Sequence, residues 1–302
     1  MRDHDDLKAR LALRYERLAE RNRVGFIIAV GRRFVAIKGL DAAGLLALEL
    51  FTVVIPLMLL GFSYASDFSA ELSFGDLLIR RLDLDGASAE VVRSTFGNGA
   101  ALRSTWTVIG LAGFLLWGLG TAPVVARIFA DAWHRDRFSF GRELCRGFAW
   151  FLAYLVSMAL SESAVVRATG LISRDNPVAA FAVGLLPVFV LWSITPMILL
   201  RDGAAGWSSL ARAGLAGVLI DGIILRVTGR IVLPALLDGW VEFGPIGVAM
   251  ALMTWCGIQA FAWVATACVG AVLWERAAPP DVVVEAQTAA NRRVWRWRPD
   301  RR

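Results

Sequence analysis

Histidine is nearly absent from this chain of 302 residues, with His4 and His134 the two present. One falls in a terminal arm and the other in a loop, so the usual ligand sets for zinc or a metal-activated water cannot be assembled, and no metal or other cofactor is expected. Cysteine is almost as scarce. Cys145, Cys256 and Cys268 are odd in number and lie in or beside apolar stretches, which argues against a disulfide framework and for small buried hydrophobes. No glycine-rich loop ends in Lys followed by Ser or Thr, so ATP-driven work by this chain alone is not expected. A recognisable nucleophile and base pair is missing too, and the chain does not read as an enzyme.

Charge is thin as well. Asp, Glu, Lys and Arg make up 19% of the residues and hydrophobic ones 57%, where soluble domains carry roughly a quarter charged; the mean hydropathy is +0.58. Residues 248–274 contain no charged side chain, and about 20 apolar residues suffice to cross a hydrocarbon core about 30 Å thick. Comparable stretches near 42–64, 105–129, 146–168, 178–200 and 207–234, with a last one over 246–274, predict an all-α polytopic membrane protein with six transmembrane helices. Residues 1–23 have no apolar centre of the secretory type, so the first span is expected to act as its own insertion signal.

The basic residues orient the chain. Arg2, Lys8, Arg10, Arg14, Arg17, Arg21, Arg23, Arg32, Arg33 and Lys38 crowd the arm over 1–40, whereas the connection between the last two spans holds Asp238 and Glu242. By the positive-inside rule the arm is cytoplasmic. Alternation then puts Arg135, Arg137 and Arg142 inside, along with the tail over 277–302, and the long loop 65–104, richer in acids, outside. Both termini are thus expected in the cytoplasm, flanking a six-helix domain over 41–276. Leu7, Leu11, Tyr15 and Leu18 recur at helical spacing among basic residues, the pattern of a basic amphipathic helix lying on a membrane surface. Membrane lipids with anionic headgroups at the cytoplasmic face are the expected partners. A homo-oligomer or an envelope-protein partner is compatible with the pattern; nucleic acid is not expected, because the net charge of +6 is not built into a recognised binding fold.

Ionisable residues inside spans carry the sharpest functional signal, since each costs about 2.5–3.5 kcal/mol at a helix centre and needs a partner or a cavity. Glu49, Glu162, Asp221, Arg226 and Arg230 are of this kind, with Arg127 and Arg212 nearer the inner surface. At 1.5 Å per residue Glu49 is roughly 10 Å deep, in reach of Arg212 or Arg127. Glu162 and Arg226 both fall at roughly 24–28 Å and are expected to meet, with Asp221 or Arg230 as alternative partners. Such pairs either serve a ligand or neutralise one another. Arg226 and Arg230, four apart on one face, call for more negative charge than one carboxylate supplies, which an anionic solute or headgroup would provide. Pro56, Pro187 and Pro196 fall inside spans and are read as helix kinks.

Two segments also carry a likeness. Asp41-Ala42-Ala43 leading to Phe51-Thr52-Val53-Val54-Ile55-Pro56-Leu57 resembles the first-helix signature of the YihY/BrkB family of bacterial inner-membrane proteins. Phe243-Gly244-Pro245-Ile246-Gly247, Met253-Thr254-Trp255 and Val269-Gly270-Ala271 before Glu275 are similar to its closing pattern, although the turn over 238–242 departs from it. The resemblance covers roughly residues 25 to 276. It implies a six-helix fold in a bacterial cytoplasmic membrane and, despite a ribonuclease BN-like label often given to the family, no nuclease. It supplies no catalytic residues. The combined expectation is a protein that transports or handles an anionic or amphipathic solute or lipid, with a non-transporting envelope scaffold as the alternative.

Overall fold

A computed structural model describes residues 23–68, 79, 86–87, 89–91, 103–171, 177–200 and 207–277. Among them there is no strand. α1 (Arg23–Ala36) leads into α2 (Gly39–Phe68), followed by α3 (Arg103–Ala132), α4 (Phe140–Leu171) and α5 (Pro177–Leu199). A continuous rod then runs from 207 to 239, made of α6 (Trp207–Gly217), a π-helical segment (Val218–Ile224) and α7 (Leu225–Gly239). A 3-10 turn (Val241–Phe243) precedes α8 (Pro245–Ala277).

All six predicted spans thus coincide with helix. Among the described residues four stretches are long and apolar enough to cross a membrane: Gly110–Ala132, Phe140–Ser161, Val178–Leu199 and Ile246–Arg276. The rod is not among them, since the π-helical segment divides it into pieces of 11, 7 and 15 residues. The surface agrees with lipid as solvent. Leu116, Val156, Leu160, Leu186, Val190, Leu219 and Ile231 are exposed, while Thr121, Ser157, Ser161, Ser193, Thr195 and Asp221 are buried, the reverse of a water-soluble helix face.

α8 runs through the middle of the bundle and packs on α1, α2, α3 and the whole rod, while α3 packs against α2 and α4, and α4 against α5. Close crossings explain the tightest of these. Gly147 in α4 sits on the backbone of Ala122, and Gly214 and Gly217 bring α6 onto Ser193 and Trp192 of α5, the use of small residues expected where helices associate without a hydrophobic drive between them. The turn into α8 is set by Gly244, at φ 56, followed by Pro245 at the first helical position, where a missing N–H costs nothing. Pro56, Pro187 and Pro196 each lie inside a helix that continues past them. At the end of α5, Arg146 donates to the carbonyls of Met197 and Ile198, two of the groups a helix leaves unpaired at its C-terminus.

Of the predicted arm, α1 lies within the described residues. The amphipathic helix before it, the tail and nearly all of the loop 65–104 lie outside them.

Candidate functional site

Asp221 stands near the midpoint of the rod, in the π-helical segment, with 3% of its surface exposed. A π turn inserts an extra residue into a helix and is often found at functional sites. Here the helix reverts to α where Leu225 N–H bonds back to the carbonyl of Ile220.

Three other helices supply the groups around the carboxylate. From α4, Tyr154 donates its hydroxyl to Asp221 Oδ1 at 3.2 Å. From α8, Gln259 Nε2 donates to the same oxygen at 3.1 Å and to Tyr154 Oη at 3.1 Å, and Trp263 Nε1 approaches it at 3.4 Å. From α5, Trp192 Nε1 donates to Oδ2 at 3.1 Å. Gln259 and Trp263 are four apart on one face of α8, as are Trp150 and Tyr154 on α4, the spacing that brings side chains together on a helix.

The surrounding shell is aromatic. Trp150 meets Trp263 edge-on at 5.2 Å and Trp192 at 6.0 Å, and Tyr154 meets Trp263 at 4.7 Å. Phe129 closes the side toward α3 against Trp150 and Trp192. Trp150 directs its own N–H to Thr195 Oγ1 at 2.8 Å, and the Thr195 hydroxyl donates a hydrogen bond to the carbonyl of Leu191. Gly217, one turn before Asp221, admits the Trp192 ring, since a Cβ there would overlap the indole.

Indole N–H groups only donate, and the tyrosine hydroxyl and glutamine amide are turned to donate as well. The pocket therefore suits a carboxylate that only accepts, meaning an ionised Asp221. None of the described cations forms an ion pair with it. What the arrangement can do is hold one negative charge on neutral dipoles, or accept a proton if the Tyr154 hydroxyl turns. It suits no metal ion, because the ring of groups offers hydrogens rather than lone pairs, and no cluster of three metal-binding side chains occurs among the described residues.

The other predicted charges are placed as follows. Arg226 donates to Ser161 Oγ on α4, which in turn donates to the carbonyl of Gly184 on α5; the side chain of Glu162, its expected partner, lies outside the description. Arg127 pairs with Glu143 at 2.9 Å, not with Glu49. Glu49 instead rests its carboxylate on Gly120, where an added Cβ would come within 2.6 Å of Oε2. Arg212 and Arg230 are exposed. Two further ion pairs, Arg33 with Glu275 at 2.7 Å and Arg137 with Asp131 at 2.6 Å, arise from residues the sequence did not single out as partners.

Trp133 and Trp274, near the ends of α3 and α8, are buried against each other at 5.6 Å.

Missed by sequence reasoning were the four donors to Asp221. A signal was present: Gln259 is the one amide in the uncharged run 248–274, and Tyr154 is one of three tyrosines. Polar groups so isolated in apolar helices have to find each other.

No protein-family model, curated protein or solved structure matches the chain.

Proposed function

We propose that this chain is a multi-pass protein of a bacterial cytoplasmic membrane, of the YihY/BrkB type, in which Asp221 is the ionisable centre of a pathway for an anionic or amphipathic solute or lipid. α2 and the rod complete a set of six spans with the four apolar ones, and both termini face the cytoplasm. The observation that carries the reading is a buried carboxylate at mid-rod held by four neutral donors and by none of the described cations. An uncompensated charge at that depth costs several kcal/mol and persists where it is used.

The chemistry follows from sign. An anion cannot pass an ionised carboxylate in a medium of low dielectric without strong repulsion. Taking up a proton removes the repulsion, so solute passage and proton passage become coupled. Arg226 and Arg230 on α7 offer the solute its countercharge.

Infrared difference spectroscopy of the full chain in lipid bilayers tests this. The expected result is a carboxylic acid C=O band that appears as pH falls and is missing in Asp221→Asn. If wild type and variant give identical spectra across about pH 4 to 9, the carboxylate is not an exchanging group. The second reading, an envelope-organising scaffold without transport, then takes over. It is favoured by one observation, that both oxygens of Asp221 already have protein donors, as a structural knot between α4, α5, α8 and the rod requires.

A further inference from the structure

A second polar site stands apart from Asp221, at the end of the bundle where α1 turns into α2 and α3 turns toward α4. A cavity of about 480 Å³ opens there, lined by Lys38, Asp131, His134, Arg135 and Asp136 with apolar residues of α1 and α3. Lys38 at φ 53 and His134 at φ 50 are the two non-glycine residues at positive φ among those described, and both line it. Each occupies the left-handed position that ends a helix, where glycine is the ordinary choice. Two strained positions bearing basic side chains, from turns about a hundred residues apart in sequence, converge on one cavity. Backbone strain gathers in this way at binding sites.

The hydrogen-bond inventory favours donors. Asp131 is held by Arg137 through both oxygens, at 3.1 and 2.6 Å, and Asp136 has an interaction of its own. Beneath them Arg33 is engaged with Glu275 and with the carbonyl of Ala132. Arg135, whose guanidinium lies over the Trp274 ring at 5.4 Å, has a buried Nε without a hydrogen-bond partner. Lys38 is exposed and makes no ion pair with the other described residues. His134 adds a ring that burial and the nearby Arg33 keep toward its neutral form, with one N–H to give.

We propose that this cleft binds a phosphate group, with Lys38, His134 and Arg135 as its donors. The phosphate of a lipid headgroup and a free phosphate share this chemistry. The lipid source rests on the membrane reading above, whereas Asp221 plays no part in the site, so failure here leaves the proton reading standing.

The full chain in uncharged detergent micelles is titrated with phosphatidylglycerol and, separately, with inorganic phosphate, and binding is read by native mass spectrometry and by thermal shift. Lys38→Gln is expected to weaken binding about tenfold, the loss of one charged hydrogen bond, with Arg32→Gln on the exposed face of α1 as the unaffected control. Lys38→Gly is the second variant. It relieves the left-handed strain, so its Tm is expected to hold or rise while its affinity falls, which separates binding from folding. Phosphatidylglycerol binding with these losses identifies a lipid phosphate; inorganic phosphate binding with the same losses and no lipid binding identifies a free anion. Absence of binding by both ligands, or equal binding by wild type and both Lys38 variants, overturns the proposal.

Discussion

Arg33, Arg127 and Arg137 each hold a carboxylate within 2.6 to 2.9 Å at the end of the bundle shared by α1, α3, α4 and α8, whereas Asp221, halfway along the rod, is held by two indoles, a phenol and an amide. Arg137–Asp131 lies open to water, where opposite charges meet at small cost and contribute little because solvent already screens them, whereas Arg33–Glu275 is mostly shielded. Deep in the bundle, bringing a guanidinium alongside would mean desolvating a second ion. Neutral donors avoid that cost and leave a charge on Asp221, whenever it is ionised, without a described counterion. The two regions thus differ in what they conserve: one keeps charge balanced, the other keeps it available.

Removing the acceptor breaks the contrast most directly. Asp221→Ala leaves the donors of Tyr154, Trp192, Gln259 and Trp263 unmet and is expected to cost about 3 kcal/mol in thermal unfolding of the detergent-solubilised protein. Gly217→Ala attacks the same site through packing. Its methyl group meets the Trp192 indole, with an expected loss of about 2 kcal/mol. At the other end, Arg33→Gln should cost about 1 to 2 kcal/mol, since the pair is mostly shielded and Ala132 also loses its donor. Arg137→Gln, in the most exposed pair, should cost under about 0.5 kcal/mol, and the difference should vanish at 1 M salt on the order of a 3 Å screening length.

The smallest effect is in pH. His134 is held below its ordinary value of 6.5 by burial first and Arg33 second, against Glu275 and Asp131, which push the other way. A base whose folded value is lowered binds fewer protons folded than unfolded below 6.5, so stability is complete above that value and declines as pH falls beneath it. His134→Gln should flatten that decline by a few tenths of a kcal/mol; a steeper slope in the variant would contradict the sign.

How much of this was legible beforehand depended on the range of the contact. The six helical stretches were read directly from apolar runs, because in lipid the backbone has few alternatives to a helix. Asp221 was singled out as an ionisable residue in a span, for the same local reason. Its partners were not, since they come from α4, α5 and α8, and which faces of four helices meet is a tertiary outcome that spacing along one helix does not encode. Depth alone paired Glu49 with Arg127 or Arg212. It failed for Arg127 because Glu143, in the first turn of α4, is brought alongside by the short connection between α3 and α4, a nearer partner than any selected by depth.

The π segment changes the frame of the rod. Before it, Leu210, Ala213 and Gly217 form the buried stripe; after it the stripe resumes at Leu225, Gly229, Leu233 and Leu237, about one residue later than a continuous period of 3.6 would bring it round. The two halves are therefore helices of different phase, spliced at Asp221. One codon lost within 218–224 would swing α7, with Arg226 and Arg230, by about 100° relative to α6, a change no single substitution along the rod makes. The reading frame of the helix, as much as any side chain in it, is what aims the carboxylate inward.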